Sequence, residues 1–167
     1  MAISTEAIRE LRDRTGAGIM DVKRALEAAD GDMKQAEDAL RTKGIAKAAS
    51  KADRSTAEGV VDSYIHAGGR IGSLVELNCE TDFVARTPEF IELAHNIAMQ
   101  IAAMAPEYIS ADEVPADEVR KPEEICLMDQ AFIKDSSKSI SDLILEVRSR
   151  VGENVQVKRI MRFGLGE

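Results

Sequence analysis

The sequence predicts an α+β protein in which a small helical module precedes a domain built on an antiparallel sheet. Apolar residues recur at spacings of three and four over residues 4–44, which is typical of amphipathic helices. The pattern then changes to alternation in two short segments, 59–66 and 71–80, on either side of the turn sequence AGGR. Two longer helical patterns follow at 88–105 and 138–150. Because the apolar face of such a sheet needs a covering layer, we expect these two helices to pack on it.

The N-terminal module, residues 1–44, is expected to contain three short helices. The sequence TGAG at 15–18 separates the first two, since two glycines within four residues favour turn conformations. Asp32 and Gln35 resemble a capping box that opens the third helix. We expect Gly44 to end that helix.

Residues 45–58, with the sequence IAKAASKADRSTAE, join the module to the rest of the chain. They offer few large apolar side chains to bury, which predicts a partly helical linker. The remaining residues, 59–167, are expected to form the core domain with a three-stranded antiparallel sheet. Its third strand is predicted at 155–163, interrupted by Arg159. One face of that strand is expected to carry Val155, Val157, Met161 and Phe163.

Composition and charge exclude several classes of protein. The formal net charge is -8, and phosphate backbones repel such a chain unless a basic face is segregated, so we expect no direct nucleic-acid partner. The two cysteines, Cys79 and Cys126, form neither a disulfide framework nor a paired-cysteine metal motif. No apolar stretch approaches the ~18 residues of a membrane span, and the charged N-terminus argues against a secretory signal. We therefore expect a cytoplasmic protein with free thiols.

Candidate catalytic groups do not converge in the sequence. A Cys79 nucleophile would need a base. His66 pairs near Ile71 at the hairpin turn, and Cys79 lies eight residues further along the strand, roughly 26 Å away. Glu80 and Asp82 lie roughly 6.6 Å apart in an extended chain, a spacing compatible with acid/base chemistry or a metal. None of the motifs GxxxxGK[ST], HExxH or GxSxG is present. We expect no catalysis, cofactor or metal, and a metal-dependent hydrolase at the two carboxylates is the weakest hypothesis.

The segment CETDFVAR, residues 79–86, places a phenylalanine at a connection between a strand and a helix. Phenylalanine is usually buried. The residue pattern alone leaves Phe83 undecided between a core anchor and an exposed group that enters a partner. Glu80 is expected to be a solvated flank, and Cys79 to face the core. Three apolar residues around the TGAG turn raise the same question of packing or docking: Leu11, Ile19 and Met20.

Four segments together resemble the translation elongation factor Ts family. They are ELRDRTGAGIMDVKRAL (10–26), ELNCETDFVAR (76–86), IAMQIAAMAPEYISADEVP (97–115) and NVQVKRIMRFGLGE (154–167). They occur in order over nearly the whole chain and resemble the short form of the family, with one core subdomain. The resemblance implies that the N-terminal module is similar to ubiquitin-associated domains.

The resemblance also implies a function, which is guanine-nucleotide exchange on elongation factor Tu without any catalysed reaction. In that family the Asp-Phe pair of the TDFV motif inserts into the nucleotide-binding domain of the partner and dislocates its Mg²⁺. The matching positions here are Thr81, Asp82, Phe83 and Val84. By motif position, the apolar contacts of the N-terminal module with the same partner are Leu11, Ile19 and Met20. An alternative is an adaptor that binds a partner through the helical module without nucleotide exchange.

One segment departs from the family pattern. Members usually have a further helical stretch between the DEVP region and the segment that matches LMDQAFIKD (127–135), whereas here VRKPEEIC (119–126) joins them almost directly. Part of the core subdomain, with the partner surface that it makes, is therefore expected to be missing from this chain. The short form implies a homodimer through the core domain, and a free edge of the sheet would suit pairing with a second copy.

Overall fold

The computed structural model describes residues 3–167, except for the side chains of residues 48 and 49. The fold is α+β, as the sequence predicts, with three N-terminal helices followed by a three-stranded antiparallel sheet and its covering helices. The helices are α1 (Thr5–Thr15), α2 (Ile19–Ala28), α3 (Met33–Ala49), α4 (Asp82–Ala85), α5 (Pro88–Met104), α6 (Pro122–Ile125) and α7 (Ile140–Val151). The strands are β1 (Glu58–Ile65), β2 (Ile71–Cys79), β3 (Ala131–Phe132), β4 (Asp135–Ser139) and β5 (Val155–Gly164).

Helices α1, α2 and α3 form the N-terminal module around a small core of their own. Ser4 caps α1 by accepting a hydrogen bond from the Ala7 N–H, and Gly16 ends it in the left-handed conformation at φ 67°. Asp32 accepts the N–H of Gln35 at 2.8 Å, so the expected N-terminal cap of α3 is present. The buried side chains of this core come from all three helices: Leu11, Val22, Leu26, Ala29, Ala36 and Leu40.

The prediction that Gly44 ends the third helix is wrong, because α3 continues through this residue to Ala49. Gly44 lies where α3 packs against α7. A Cβ atom at Gly44 would lie 2.0 Å from Ser149 Oγ and 3.2 Å from Ser149 Cβ. The glycine therefore permits close approach of two helices. Its sequence signal is the same as that of a helix stop, so only the tertiary contact separates the two roles.

The sheet has the strand order β1-β2-β5, and both pairings are antiparallel. The predicted hairpin is confirmed, with the His66 N–H donating to the Ile71 carbonyl at 2.9 Å. Gly68 and Gly69 form its turn at positive φ angles of 89° and 68°, which explains the glycines there. On β2 the side chains of Val75, Leu77 and Cys79 are buried, as their alternation predicts.

The prediction for the faces of the third strand is wrong beyond Val157. The register between β2 and β5 shifts there, since Leu77 pairs with Val157 but Glu76 pairs with Arg159, leaving Lys158 as an extra residue. Such a β-bulge moves every later side chain to the opposite face. Ile160 therefore packs on the core. Met161 and Phe163 point outwards instead of sharing the face of Val155.

One face of the sheet is covered by α5 and α7. Thr87 caps α5 through the Phe90 N–H, and a capping box of Ser139 and Asp142 opens α7. The layer between the sheet and these helices contains Phe90, Leu93, Ile97, Ile101, Ile140 and Ile144. The opposite side of the sheet, called here the outer apolar face, has exposed side chains at Val61, Ile65, Leu74, Met161 and Phe163.

The region between α5 and α7 is mostly loop, as the prolines predict, but backbone hydrogen bonds join two of its segments. Segments 107–109 and 125–128 run side by side through backbone hydrogen bonds. Arg120 forms an ion pair with Glu107 across the loop that these two residues enclose, and a local ion pair with Glu118. A small hairpin of β3 and β4 follows, which the sequence does not predict because β3 has only two residues and β4 is polar throughout.

Candidate functional site

The TDFV motif forms a tight helical turn at the exit of β2. Thr81 is the N-cap of α4, and its hydroxyl accepts a hydrogen bond from the Val84 N–H at 3.4 Å. Val84 and Ala85 are buried in the core, whereas the Phe83 side chain is 80% exposed. Because Val84 and Ala85 occupy the side of this short helix that faces the core, Phe83 lies on the side that faces solvent. The packing thus answers the question that the residue pattern leaves open, because Phe83 is not a core anchor in this structure.

Asp82 lies beside Phe83 and is only partly exposed. Its carboxylate forms an ion pair with Arg86 at 2.9 Å, one helical turn further along the chain. Both side chains reach solvent, so this pair contributes little to stability and can separate readily. Asp82 is therefore available to a partner that offers a better counter-charge.

The residues before the turn are bound to the loop that follows α7. Glu153 Oε2 accepts the backbone N–H groups of Glu80 and Thr81 at 3.1 and 3.0 Å. Glu153 Oε1 accepts the Thr81 hydroxyl at 2.7 Å. The sequence offers no signal for this role, since Glu153 is a single acid in a turn more than seventy residues from Thr81.

Glu80 is not the solvated flank that the sequence suggests. Its Oε1 accepts the Asn154 N–H at 2.7 Å, and its other oxygen lies 3.4 Å from Arg54 Nη1. The Asn154 N–H and then Arg54 lower the pKa of the Glu80 carboxyl, because both favour its charged form. Glu80 thus links the turn to the segment that joins α3 to β1.

The geometry gives no support to catalysis at this site. Cys79 is buried, and desolvation, with a smaller contribution from the negative charge of Glu153, raises the pKa of its thiol to about 11. Such a thiol is protonated at neutral pH and is a poor nucleophile. Across residues 3–167, no cluster of three or more His, Cys, Asp or Glu side chains is arranged to hold a metal ion.

The three residues expected to dock from the N-terminal module separate into two groups. Ile19 and Met20 are 55% and 62% exposed on the first turn of α2. Leu11 is completely buried in the core of the module. The expectation that Leu11 contacts a partner therefore does not fit this conformation, because a buried side chain has no surface to offer.

A groove of about 800 Å³ lies between the N-terminal module and α7, and the TDFV turn does not line it. Cations and acids in its wall are paired with each other, as in Lys43–Asp21 and Lys138–Glu146, each at 2.8 Å. The wall also contains the cations Arg41, Lys47 and Arg150.

Comparison with known proteins places these features in one family. The family model "Elongation factor TS" matches residues 44–125. The chain is 49% identical to "Elongation factor Ts" of Syntrophomonas wolfei, covering 99% of this chain and 91% of the relative. It is 47% identical to the protein of the same name in Carboxydothermus hydrogenoformans, covering 99% and 90% of the two chains.

A third relative shows what this chain lacks. "Elongation factor Ts" of Fervidobacterium nodosum is 45% identical, and the alignment covers 100% of both chains over 197 positions. This chain has 167 residues, so at least 30 of those positions have no counterpart in it.

None of the helices within residues 3–167 has both the length and the apolar character that crossing a membrane requires.

The motifs from Glu10 to Glu167, the α+β fold and the near full-length identity agree on one assignment. The chain belongs to the elongation factor Ts family, in its short form.

Proposed function

We propose that this chain is a guanine-nucleotide exchange factor for elongation factor Tu and that the turn carrying Asp82 and Phe83 is its working element. Family membership supports the exchange function, and the exposed turn supports the choice of element. Because its partner belongs to the translation machinery, we place the chain in the cytoplasm. Exchange of this kind needs no nucleophile or bound metal in the chain itself.

One observation carries the choice of Phe83 most strongly. Its ring is 80% exposed although its sequence neighbours Val84 and Ala85 are buried, so the fold holds an aromatic side chain in water at a fixed place. Burial of such a side chain in an apolar cleft contributes about 1.5–3 kcal/mol. If that cleft opens only in the nucleotide-free partner, this energy corresponds to a change of about 10- to 100-fold in nucleotide affinity.

The exchange itself follows from thermodynamic linkage. A factor that binds nucleotide-free elongation factor Tu more tightly than the nucleotide-bound form must weaken nucleotide binding by the same ratio. Rebinding of nucleotide then expels the factor. The same differential affinity thus gives both release and turnover.

Asp82 supplies the electrostatic part of this proposal. Mg²⁺ requires near-octahedral oxygen coordination, so a small shift of its surroundings can release it. We assign to Asp82 competition for polar groups near the Mg²⁺ and the phosphate-binding loop of the partner. Its surface ion pair with Arg86 can open at little cost when that competition begins.

The N-terminal module has a separate role in the proposal. Ile19 and Met20 form a small exposed apolar edge that can bind the nucleotide domain of the partner while the core domain supplies Phe83. Two contacts carried by one chain raise the effective concentration of the second contact once the first has formed.

The experiment that tests the function is release of fluorescent GDP from purified elongation factor Tu. The parent chain should accelerate release, and Phe83→Ala should lose most of that acceleration. Val119→Ala is the matched control, because Val119 is 93% exposed in a distant loop. No acceleration by the parent chain would refute the exchange function, and binding without release would favour the adaptor. An unchanged rate for Phe83→Ala would refute the role of the ring only.

We also propose that the outer apolar face pairs two copies of the chain. Register places Phe163 opposite Gly72 and Met161 opposite Leu74, so these side chains adjoin on one exposed surface. Exposed apolar surface of this kind is typical of protein interfaces. Light scattering should give the mass of a dimer for the parent chain and of a monomer for Phe163→Glu. A monomeric parent would refute this proposal.

A further inference from the structure

We propose that Glu153 is a positioning residue for exchange, because its carboxylate holds the turn that presents Asp82 and Phe83. This inference rests on the function proposed for that turn. Glu153 lies in the loop between α7 and β5 and is only partly exposed.

The contacts of Glu153 determine the orientation of the cap residue. Thr81 donates its single hydroxyl hydrogen to Glu153 Oε1 at 2.7 Å. The lone pairs of the Thr81 hydroxyl oxygen are then free to accept the Val84 N–H, and this hydrogen bond caps α4. Glu153 Oε2 also fixes the backbone at Glu80 and Thr81, immediately before the turn. One carboxylate thus controls both the backbone entry and the side-chain cap.

Glu153 is itself held by a reciprocal set of bonds. The Glu80 carboxylate accepts the backbone N–H of Asn154 at 2.7 Å, while Glu153 accepts the backbone N–H of Glu80. The buried Asn154 side chain donates to the carbonyl groups of Ala52 and Arg54 at 2.8 Å each. The loop is therefore bound to the turn on one side and to the segment between α3 and β1 on the other.

The contacts of Glu153 order the turn before a partner binds. A helix of four residues has little stability of its own, because a single turn gains too few hydrogen bonds to offset its ordering. Without Glu153 the turn would occupy several conformations, and entry into a partner would have to select one of them. Glu153 removes that cost in advance, so its effect should appear in the rate of nucleotide release.

The test measures the maximal rate of fluorescent GDP release from elongation factor Tu and the concentration of this chain at half-maximal rate. Glu153→Ala should lower the maximal rate about tenfold, as expected when a partly buried polar network loses a charged member. The half-maximal concentration should change less than about twofold, since Ile19 and Met20 are untouched. Glu153→Gln should retain most of the rate, because its amide oxygen can still accept the two backbone N–H groups.

A mutant cycle with the Asp82→Ala/Phe83→Ala variant separates positioning from general destabilisation. If Glu153 acts through the two residues that the turn presents, adding Glu153→Ala to that variant should leave its rate of GDP release unchanged within about twofold. An equal loss from Glu153→Ala in both backgrounds would overturn the proposal, as would a parent-like rate for Glu153→Ala when Phe83→Ala is slow. A parent-like rate for Phe83→Ala would refute the role proposed for the ring and, with it, the inference that Glu153 acts by positioning that ring, while the exchange function would stand.

Two further variants keep the result interpretable. Glu146→Ala removes a carboxylate of α7 that pairs with Lys138 at 2.8 Å, and it should leave the maximal rate unchanged. Thermal melting of each variant establishes that it is folded at the assay temperature. If Glu153→Ala does not fold, Glu153→Asp keeps the charge but shortens the reach by one methylene. Its maximal rate should fall severalfold, and a parent-like rate in this folded variant would overturn the proposal.

Discussion

The two apolar sites that we propose contact elongation factor Tu are supported in different ways. Ile19 and Met20 belong to the first turn of a ten-residue helix, whose N-cap is Gly18, a residue with no side chain to form a cap. Phe83 belongs to a four-residue turn that is capped by Thr81 and fastened from outside by Glu153. The site in the module depends on local helix structure, whereas the site in the core depends on bonds to a distant loop.

This difference matches the work assigned to each site. A surface that only adds affinity can adjust to its partner at small cost. A side chain that must shift groups in the partner has to be held rigidly. If the turn moved instead, the binding energy would deform the turn and leave the partner's nucleotide site unchanged. The comparison predicts that substitutions at the two sites change different kinetic quantities.

The largest effect is expected from the double substitution Asp82→Ala and Phe83→Ala. Loss of the Phe83 ring, which the proposal buries in the partner, alone corresponds to about 10- to 100-fold in nucleotide release, and loss of the carboxylate adds to it. The loss should appear in the maximal rate of GDP release at saturating concentrations of this chain. A rise in the half-maximal concentration at unchanged maximal rate would contradict the distinction between the two sites.

The next effect concerns the joint between the two regions. Gly44→Leu should destabilise the protein by about 1–3 kcal/mol, because any Cβ at Gly44 meets Ser149 across the contact of α3 with α7. Denaturant unfolding followed by circular dichroism measures this change. Thr42→Leu adds the same side chain to an exposed position of α3 and should stay within about 0.5 kcal/mol of the parent. Equal stabilities of the two variants would show that the regions do not pack as described.

A smaller effect is expected from Ile19→Ala combined with Met20→Ala. Each truncation removes apolar surface that is already half exposed, so we expect about a tenfold rise in the half-maximal concentration and little change in the maximal rate. Met104→Ala, which truncates an exposed methionine at the end of α5, is the control and should leave both quantities unchanged. A loss confined to the maximal rate would assign the module a share of the displacement.

A further effect is a pH dependence of stability on the core side. The pKa of the Cys79 thiol is raised from 9.0 to about 11. Above pH 9 the thiolate therefore forms first in the unfolded chain, and the free energy of unfolding should fall as pH rises from about 9 to about 11. Comparison of Cys126→Ala with the variant that also carries Cys79→Ala isolates this slope. An identical slope in both variants would mean that Cys79 is not buried beside the turn.

Several elements follow from local sequence because their causes are local. Alternation on β2, the glycines of the hairpin and the Thr87-Pro88 start of α5 each act through neighbouring residues, and the structure agrees with all of them. The TDFV motif also marks the candidate site without any structure. Its capping threonine is three residues from the N–H that it binds.

The sequence by itself therefore determined the fold class, the family and the position of the TDFV turn. Only the tertiary structure decided that Gly44 continues a helix, that a bulge at Lys158 turns Met161 and Phe163 outwards, and that Leu11 is buried. It also decided that Phe83 is exposed and that Glu153 holds its turn. Each of these depends on groups far away in the chain, as with Ser149 for Gly44 and Thr81 for Glu153. Residue spacing records contacts along the chain, and contacts between distant segments exist only once the chain has packed.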